Sequence, residues 1–205
     1  LTYGERGESG SLWRDRSRIK VEEVKKTREA EAKAAAQILG AQIRFLDFDD
    51  NPLIVDKRRM LRIVTEIREF KPGIVLTHWI RDPLNPDHVA TATATTKACH
   101  YASAPGVSLD ASPCGYPQVF FFEPSVPTND LSRFRPDTYI DISEVFDVKL
   151  TALKELKTQE TLPEWYRLYG ELRAFQARNA ALGGNEIRYA EAYRTFTPWA
   201  GPAFP

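Results

Sequence analysis

The sequence predicts an α/β protein in which a mostly parallel sheet carries helices on both faces. Three observations predict it. Short apolar runs alternate along the chain with longer stretches of helical period. Two of those runs, "GIVLTHWI" and "YPQVFFFEP", are apolar nearly throughout, as strands buried on both sides are. Three polar loops, "GERGESG", "HWIRDPLNPDH" and "EPSVPTND", each follow a strand, and the carboxyl ends of the strands form the ligand rim of an open α/β sheet.

Taken in order, Leu1 and Thr2 read as the end of a strand that runs into a loop with Gly4, Gly7 and Gly10. "RIKVEEVKKTREAEAKAAAQILG" is rich in Ala, Glu and Lys and closes on Gly40, which predicts a helix with a glycine stop. A strand is expected over 41–48, followed by a loop through Asp49, Asp50, Asn51 and Pro52. In "DKRRMLRIVTEIREFKP" the residues Met60, Leu61, Ile63, Val64 and Ile67 fall at helical spacing, ended by Pro72. The strand in "GIVLTHWI" leads through the loop 81–87 to a helix expected over 88–102. "TYIDI" is a further strand, and Ser143 is placed to N-cap the helix "EVFDVKLTALKELKTQ". Pro163 suits the start of the last long helix, "PEWYRLYGELRAFQARNAAL". "RYAEAYRTF" follows as a strand or an irregular closing segment. No repeat, low-complexity tract or linker interrupts this order, so residues 1–205 are expected to form a single domain.

Composition narrows the function classes. Apolar residues make up 42% and charged residues 27%, as in a water-soluble folded chain. Lys+Arg and Asp+Glu both total 28, so the chain has no broad basic surface for nucleic acid or an anionic membrane, while a local basic pocket stays compatible. No apolar run approaches membrane-spanning length. Cys99 and Cys114 form no CxxC pair and no disulfide framework, and read as reduced thiols of a cytoplasmic protein.

The chemistry-bearing residues gather on the loops. A neutral imidazole held at a helix start, as His88 is, suits a zinc ligand, with Asp87 beside it as an orienting group. The same pair also suits a helix capped by Asp87 with His88 turned to solvent. Glu5 and Glu8 lie in the glycine-rich loop, where a carboxylate suits a general base and equally a solvated turn. That loop has neither the Walker A nor the dinucleotide spacing. Arg6, Arg81 and Arg178 each carry the guanidinium fork that pairs with carboxylates, and each also suits an ordinary surface position. His78 ends a buried strand, either as a hydrogen-bond donor to substrate or as a satisfied core histidine. His100 in mid-helix, and Cys99 with nothing to activate it, read as structural.

Together "TYGERGESG", "REAEAKAAAQILG", "PGIVLTHWIRDPLNPDH" and "YAEAYRTF" make the chain resemble the LmbE/PIG-L family of zinc-dependent enzymes over nearly its whole length. The most specific piece is "NPDH", placed after "VLTH" and ahead of a small-residue helix. "GERGESGSLW", "FEPSVPTND", "DISEVFDVK" and "QARN" are similar to the 4-oxalomesaconate hydratase branch more than to the sugar deacetylases. The resemblance implies a Rossmann-like fold, a Zn2+ cofactor held in part by His88, a small-molecule substrate and an assembly of like chains. It also implies a strand, a helix and a second strand ahead of Leu1, roughly 30 residues or more, bearing a His-x-x-Asp element with the other protein ligands. In the hydratase reading that it implies, Glu8 is the general base, Arg6, Arg81 and Arg178 hold substrate carboxylates, and Asn85 and His78 position water or an enolate oxygen.

Two departures bear on substrate. The deacetylases usually carry His where this chain has Asn85, and Asn donates a hydrogen bond but supplies no proton and carries no charge. That favours hydration of an unsaturated keto di- or tricarboxylic acid. The alternative is hydrolysis of an N-acetylglucosaminyl amide, with Glu8 on sugar hydroxyls, and a third reading is a degenerate binding module. Ser125, after Glu123 and Pro124, stands where the hydratase branch carries His, which implies a related but different substrate.

Overall fold

The computed structural model describes residues 1–7, 11–14, 17–124, 130–180 and 186–198. In chain order the elements are α1 (Val21–Ile38), α2 (Lys57–Phe70), β1 (Ile74–His78), α3 (Pro86–Ser103), β2 (Gln118–Phe122), β3 (Thr138–Asp141), α4 (Phe146–Lys154), α5 (Leu162–Ala180) and β4 (Ala190–Thr195), with a short 3-10 turn at Leu12–Arg14. The strands form an open sheet of order β1-β2-β4-β3. The fold is mixed α/β. β1 and β2 pair in parallel around the α3 crossover, with His78 beside Phe122, and β4 joins β2 antiparallel, with Tyr193 beside Phe122. The chain divides into two compact units, Leu1–Pro52 with Tyr139–Glu191, and Leu53–Thr138 with Ala192–Pro205.

In the first unit α1 ends as its sequence predicts. Gly40 takes a φ of +65°, and the N–H groups of Gly40 and Ala41 donate to the carbonyls of Gln37 and Ala36, closing the last turn. The ring of Phe146 stacks on Tyr189 at 3.6 Å. Gly170 of α5 lies against both, and a Cβ there would stand 3.2 Å from Phe146 and 3.3 Å from Tyr189, so the close approach requires glycine. The buried Glu31 carboxylate accepts from the backbone N–H and the hydroxyl of Thr158, tying α1 to the turn before α5.

Three local expectations fail in this unit. The strand expected over 41–48 is absent, as is a strand at Leu1 and Thr2. Leu46, Phe48 and Asp50 are buried in alternation, as strand residues are, but Asp47, Asp49 and Asn51 take φ values of +53°, +62° and +46°. Left-handed residues at alternate positions break a ladder; its trace here is the bond from the Phe48 N–H to the Leu1 carbonyl, 3.1 Å. Ser143 does not cap α4, which begins after Val145. Its hydroxyl donates to Asp141 at 2.5 Å and accepts from the N–H groups of Arg188 and Tyr189, and so is committed elsewhere.

In the second unit α2 and α3 pack together. α2 presents the buried Ile63, Val64 and Ile67, and α3 presents Ala92, Ala94, Ala98, Cys99 and Ala102. Small residues let two helices approach closely. Arg68 of α2 is 1% exposed, and all five of its N–H donors reach backbone carbonyls around the end of α3: Nε on Ala102, Nη1 on Val107 and Ala111, Nη2 on Tyr101 and Ala104. A positive charge suits the negative end of the helix dipole. α3 itself begins at Pro86, two residues earlier than expected. Its cap is Asn85 and not Asp87, with Pro86 at the first helical position, where its missing N–H does no harm.

Candidate active site

β1 delivers His78 to its carboxyl end, and the chain then runs through a short loop into α3. The Trp79 indole anchors that loop by donating to the Ser132 carbonyl at 2.8 Å, with its ring edge-on to Phe121 and Phe134. Asp82 turns inward and is 4% exposed. One of its oxygens accepts from the Leu84 N–H at 3.2 Å, and its own carbonyl accepts from the Asn85 N–H. The loop therefore folds around a buried carboxylate.

His88 is gripped on three sides. Its Nδ1 lies 2.9 Å from the second Asp82 oxygen, its Nε2 lies 3.0 Å from the Asn85 amide nitrogen, and its face stacks on His78 at 3.8 Å. His78 in turn meets the edge of Phe122. Asn85 fixes the chemistry of this contact. Its oxygen accepts from the N–H groups of Asp87 and His88 at 3.1 and 3.3 Å, so its amino group faces the imidazole. An amino group donates, so this contact suits a ring that accepts at Nε2 and carries its proton on Nδ1, towards Asp82.

The structure thus brings His88, Asn85 and His78 together, and adds Asp82. Asp87 lies beside them, but its carboxylate accepts from the Leu53 N–H at 2.9 Å, and the carboxylate on His88 is that of Asp82. Arg81 is exposed in the same loop. His100 is exposed on α3, and burial pushes the Cys99 thiol up to about 11, far from a nucleophile's range.

In the first unit the start of the glycine-rich loop is held by acids of the 49–52 loop. The N–H of Arg6 donates to both Asp50 oxygens at 2.9 and 3.1 Å, and that of Gly7 to one at 3.2 Å. The Arg6 guanidinium donates to Asp49 at 2.8 Å, which raises its pKa. Glu5 is fully buried, and burial pushes its carboxyl up. Glu8 and Ser125 lie outside the described residues. Arg178, near the end of α5, donates to the Ile187 carbonyl.

Asp82, Asp50 and Arg68 escape a motif search. The only sequence sign of Asp82 is a carboxylate six residues ahead of His88 in a proline-bearing loop after a strand.

A histidine clasped between a strand end and a helix start lies at the carboxyl rim of the sheet, where open α/β folds bind their ligands. The chain belongs to the PIG-L/LmbE family. The family profile described as "PIG-L: GlcNAc-PI de-N-acetylase" matches residues 1–99. A 4-oxalmesaconate hydratase of Pseudomonas putida is 38% identical over 200 residues, which cover 97% of this chain and 76% of that protein. The crystal structure of the 4-carboxy-2-hydroxymuconate hydratase GalB from the same species superposes with a TM-score of 0.92 at 36% identity, covering 100% of this chain and 85% of that one. A diacetylchitobiose deacetylase of Thermococcus kodakarensis is 29% identical, covering 92% of this chain and 69% of that protein. The family is one of enzymes and is generally metal-dependent.

No group of three or more His, Cys, Asp and Glu converges among the described residues. A single ligand does fit: the His88 Nε2 carries a lone pair, and the other ring nitrogen is backed by a buried carboxylate, the usual support of a metal-binding imidazole.

Proposed function

We propose that this protein is a metal-dependent hydratase that adds water across the double bond of an unsaturated keto di- or tricarboxylic acid, with Zn2+ as its metal. The observation that carries this reading is the likeness to the Pseudomonas putida 4-oxalmesaconate hydratase over 97% of the chain. Asn85 supports it. Its amide is committed to the α3 N–H groups and to His88, and it has no proton to give to a leaving amine. Lewis-acid polarisation of a substrate oxygen is the chemistry a zinc centre supplies.

His88 is the proposed ligand. Asn85 and His78 hold and position water or an enolate oxygen, and Asp87 braces the helix start through the Leu53 N–H. Glu8 is the proposed base, and Arg81, Arg6 and Arg178 are the proposed partners of substrate carboxylates. Arg6 and Arg178 hold Asp49 and the Ile187 carbonyl in this structure, acceptors that a carboxylate would replace. We infer a cytoplasmic enzyme that works as an assembly of like chains. No described helix is long and apolar enough to cross a membrane.

The second reading, N-acetyl hydrolysis, is favoured by the deacetylase described by the family profile and by the 29% identical chitobiose deacetylase. The test compares both substrate classes on the zinc-loaded protein. Turnover of oxalomesaconate is expected, and turnover of N-acetylglucosamine conjugates alone would overturn the hydratase reading. His88→Ala is expected to lose bound zinc, read by metal analysis after dialysis. Glu8→Gln should lower turnover by about 10²-fold or more if Glu8 is the base.

A further inference from the structure

The clasp on His88 contains one residue to which neither the family likeness nor the proposed roles give a task. We propose that Asp82 is the positioning residue of His88: through Nδ1 it fixes the ring tautomer and rotation that leave the Nε2 lone pair as the donor. This rests on the reading of His88 as a metal ligand.

The argument begins with burial. The Asp82 side chain is 1% exposed, and a carboxylate withdrawn from water must find donors. Among its donors are two of different kinds. The Leu84 N–H is a fixed backbone donor from its own loop, at 3.2 Å. The His88 Nδ1, at 2.9 Å, is a donor only when the ring carries its proton there. An ionised carboxylate accepts and does not donate, so the buried anion favours one of the two neutral tautomers.

Asn85 reaches the same conclusion from the opposite edge of the ring. With its oxygen held by the first N–H groups of α3, its amino group can face Nε2 only as a donor. A proton on Nε2 would set two donors against each other at 3.0 Å and leave two acceptors facing across 2.9 Å. Each edge of the ring therefore penalises the wrong tautomer. The stack on His78 limits the remaining freedom, which is ring flipping about χ2.

The consequence concerns affinity. A ligand imidazole that is already in the right tautomer and rotamer loses less freedom on binding a cation, and a carboxylate at the far nitrogen raises the basicity of the donor nitrogen. Asn85 holds the lone pair in a weak, exchangeable hydrogen bond that a cation would replace. Asp82 lies at the opposite ring nitrogen, where a cation on Nε2 does not displace it, and the Leu84 N–H anchors it.

The test uses the zinc ion alone as probe. The ring-nitrogen signals of His78, His88 and His100 in a 15N-histidine sample can be assigned by single substitutions. In the metal-free protein at mildly alkaline pH, His88 is expected to show a protonated Nδ1 and a bare Nε2. Asp82→Asn keeps the shape but cannot accept with both former oxygens. It should mix the two tautomers and weaken zinc about 10-fold or more by chelator competition, and Asp82→Ala about 10²-fold. A residue that only braced the loop would lower the unfolding midpoint and leave tautomer and zinc affinity as they are. A wild-type His88 protonated at Nε2, or an Asp82→Asn protein that binds zinc as tightly as wild type, would overturn the proposal. The wild-type tautomer needs no variant, so a variant that fails to fold does not spare it. If His88→Ala loses zinc while Asp82→Asn keeps it, this proposal alone falls; if His88→Ala binds zinc like wild type, the ligand reading falls and takes the proposal with it.

Discussion

The two ends of α3 are both closed by polar side chains, but from very different distances along the chain. At the N-terminus the partners are neighbours: Asn85 takes the N–H groups of Asp87 and His88, and Pro86 removes one orphan donor altogether. At the C-terminus the carbonyls of Tyr101, Ala102 and Ala104 converge on Arg68, which comes from α2, 33 to 36 positions away. The first end leaves an imidazole edge for chemistry. The second leaves nothing over, since every guanidinium N–H is engaged. On the proposed reading of His88, one end of the helix acts and the other holds the scaffold.

Three experiments break or sharpen that contrast. The largest effect is expected at the closed end. Arg68→Met removes the side-chain donor shared by five carbonyls, of which Tyr101, Ala102 and Ala104 keep backbone donors, and should lower stability by about 1–3 kcal/mol in denaturant unfolding. The zinc affinity of the fraction that folds should stay within about 3-fold of wild type if the ends are independent. A parallel collapse of affinity would show that the arginine aims the histidine directly. A middle-sized effect is expected at the open end. Asn85→Asp keeps the helix cap, so stability should move by no more than about 0.5 kcal/mol. It puts an acceptor where Nε2 needs a donor, and turnover should fall about 10-fold or more. The smallest effect reads the closed end kinetically. With its pKa near 11, Cys99 is about one part in a thousand thiolate at about pH 8, and alkylation should label Cys114 first. Arg68→Lys, with three donors for five carbonyls, should shorten the lag of Cys99; an unchanged lag would mean that the helix end holds without the fork.

The same contrast explains what the sequence made legible. α1, α2 and α5, and the strands β1, β2 and β3, follow from local period and punctuation, the Gly40 stop and the Pro72 break fall where expected, and β4 resolves as a strand a segment whose sequence suited either a strand or irregular structure. His78 is legible as a strand end and His88 as lying near a helix start, both local events, whereas Asn85 is marked by the family resemblance and not by its capping, which was expected of Asp87. The strand expected over 41–48 is interrupted near its end by Asp47, and the loop that follows continues the left-handed backbone at Asp49 and Asn51, which apolar alternation does not report. Ser143 failed as a cap because Asp141, Arg188 and Tyr189 had prior claim on its hydroxyl, and two of those lie 45 positions or more away. Asp82 was illegible for a similar reason. A buried carboxylate looks like any loop aspartate until the histidine one helix turn beyond the cap folds back onto it.

Arg68 has a practical corollary for anyone scanning this protein by mutation. Scored by growth on substrate or by activity in a lysate, positions 68 and 88 would be expected to stand out alike, because an enzyme that does not accumulate and an enzyme that cannot bind its metal are equally silent. Only a second channel that counts molecules, such as a fluorescent fusion or an immunoblot, separates a scaffold lesion from a chemical one.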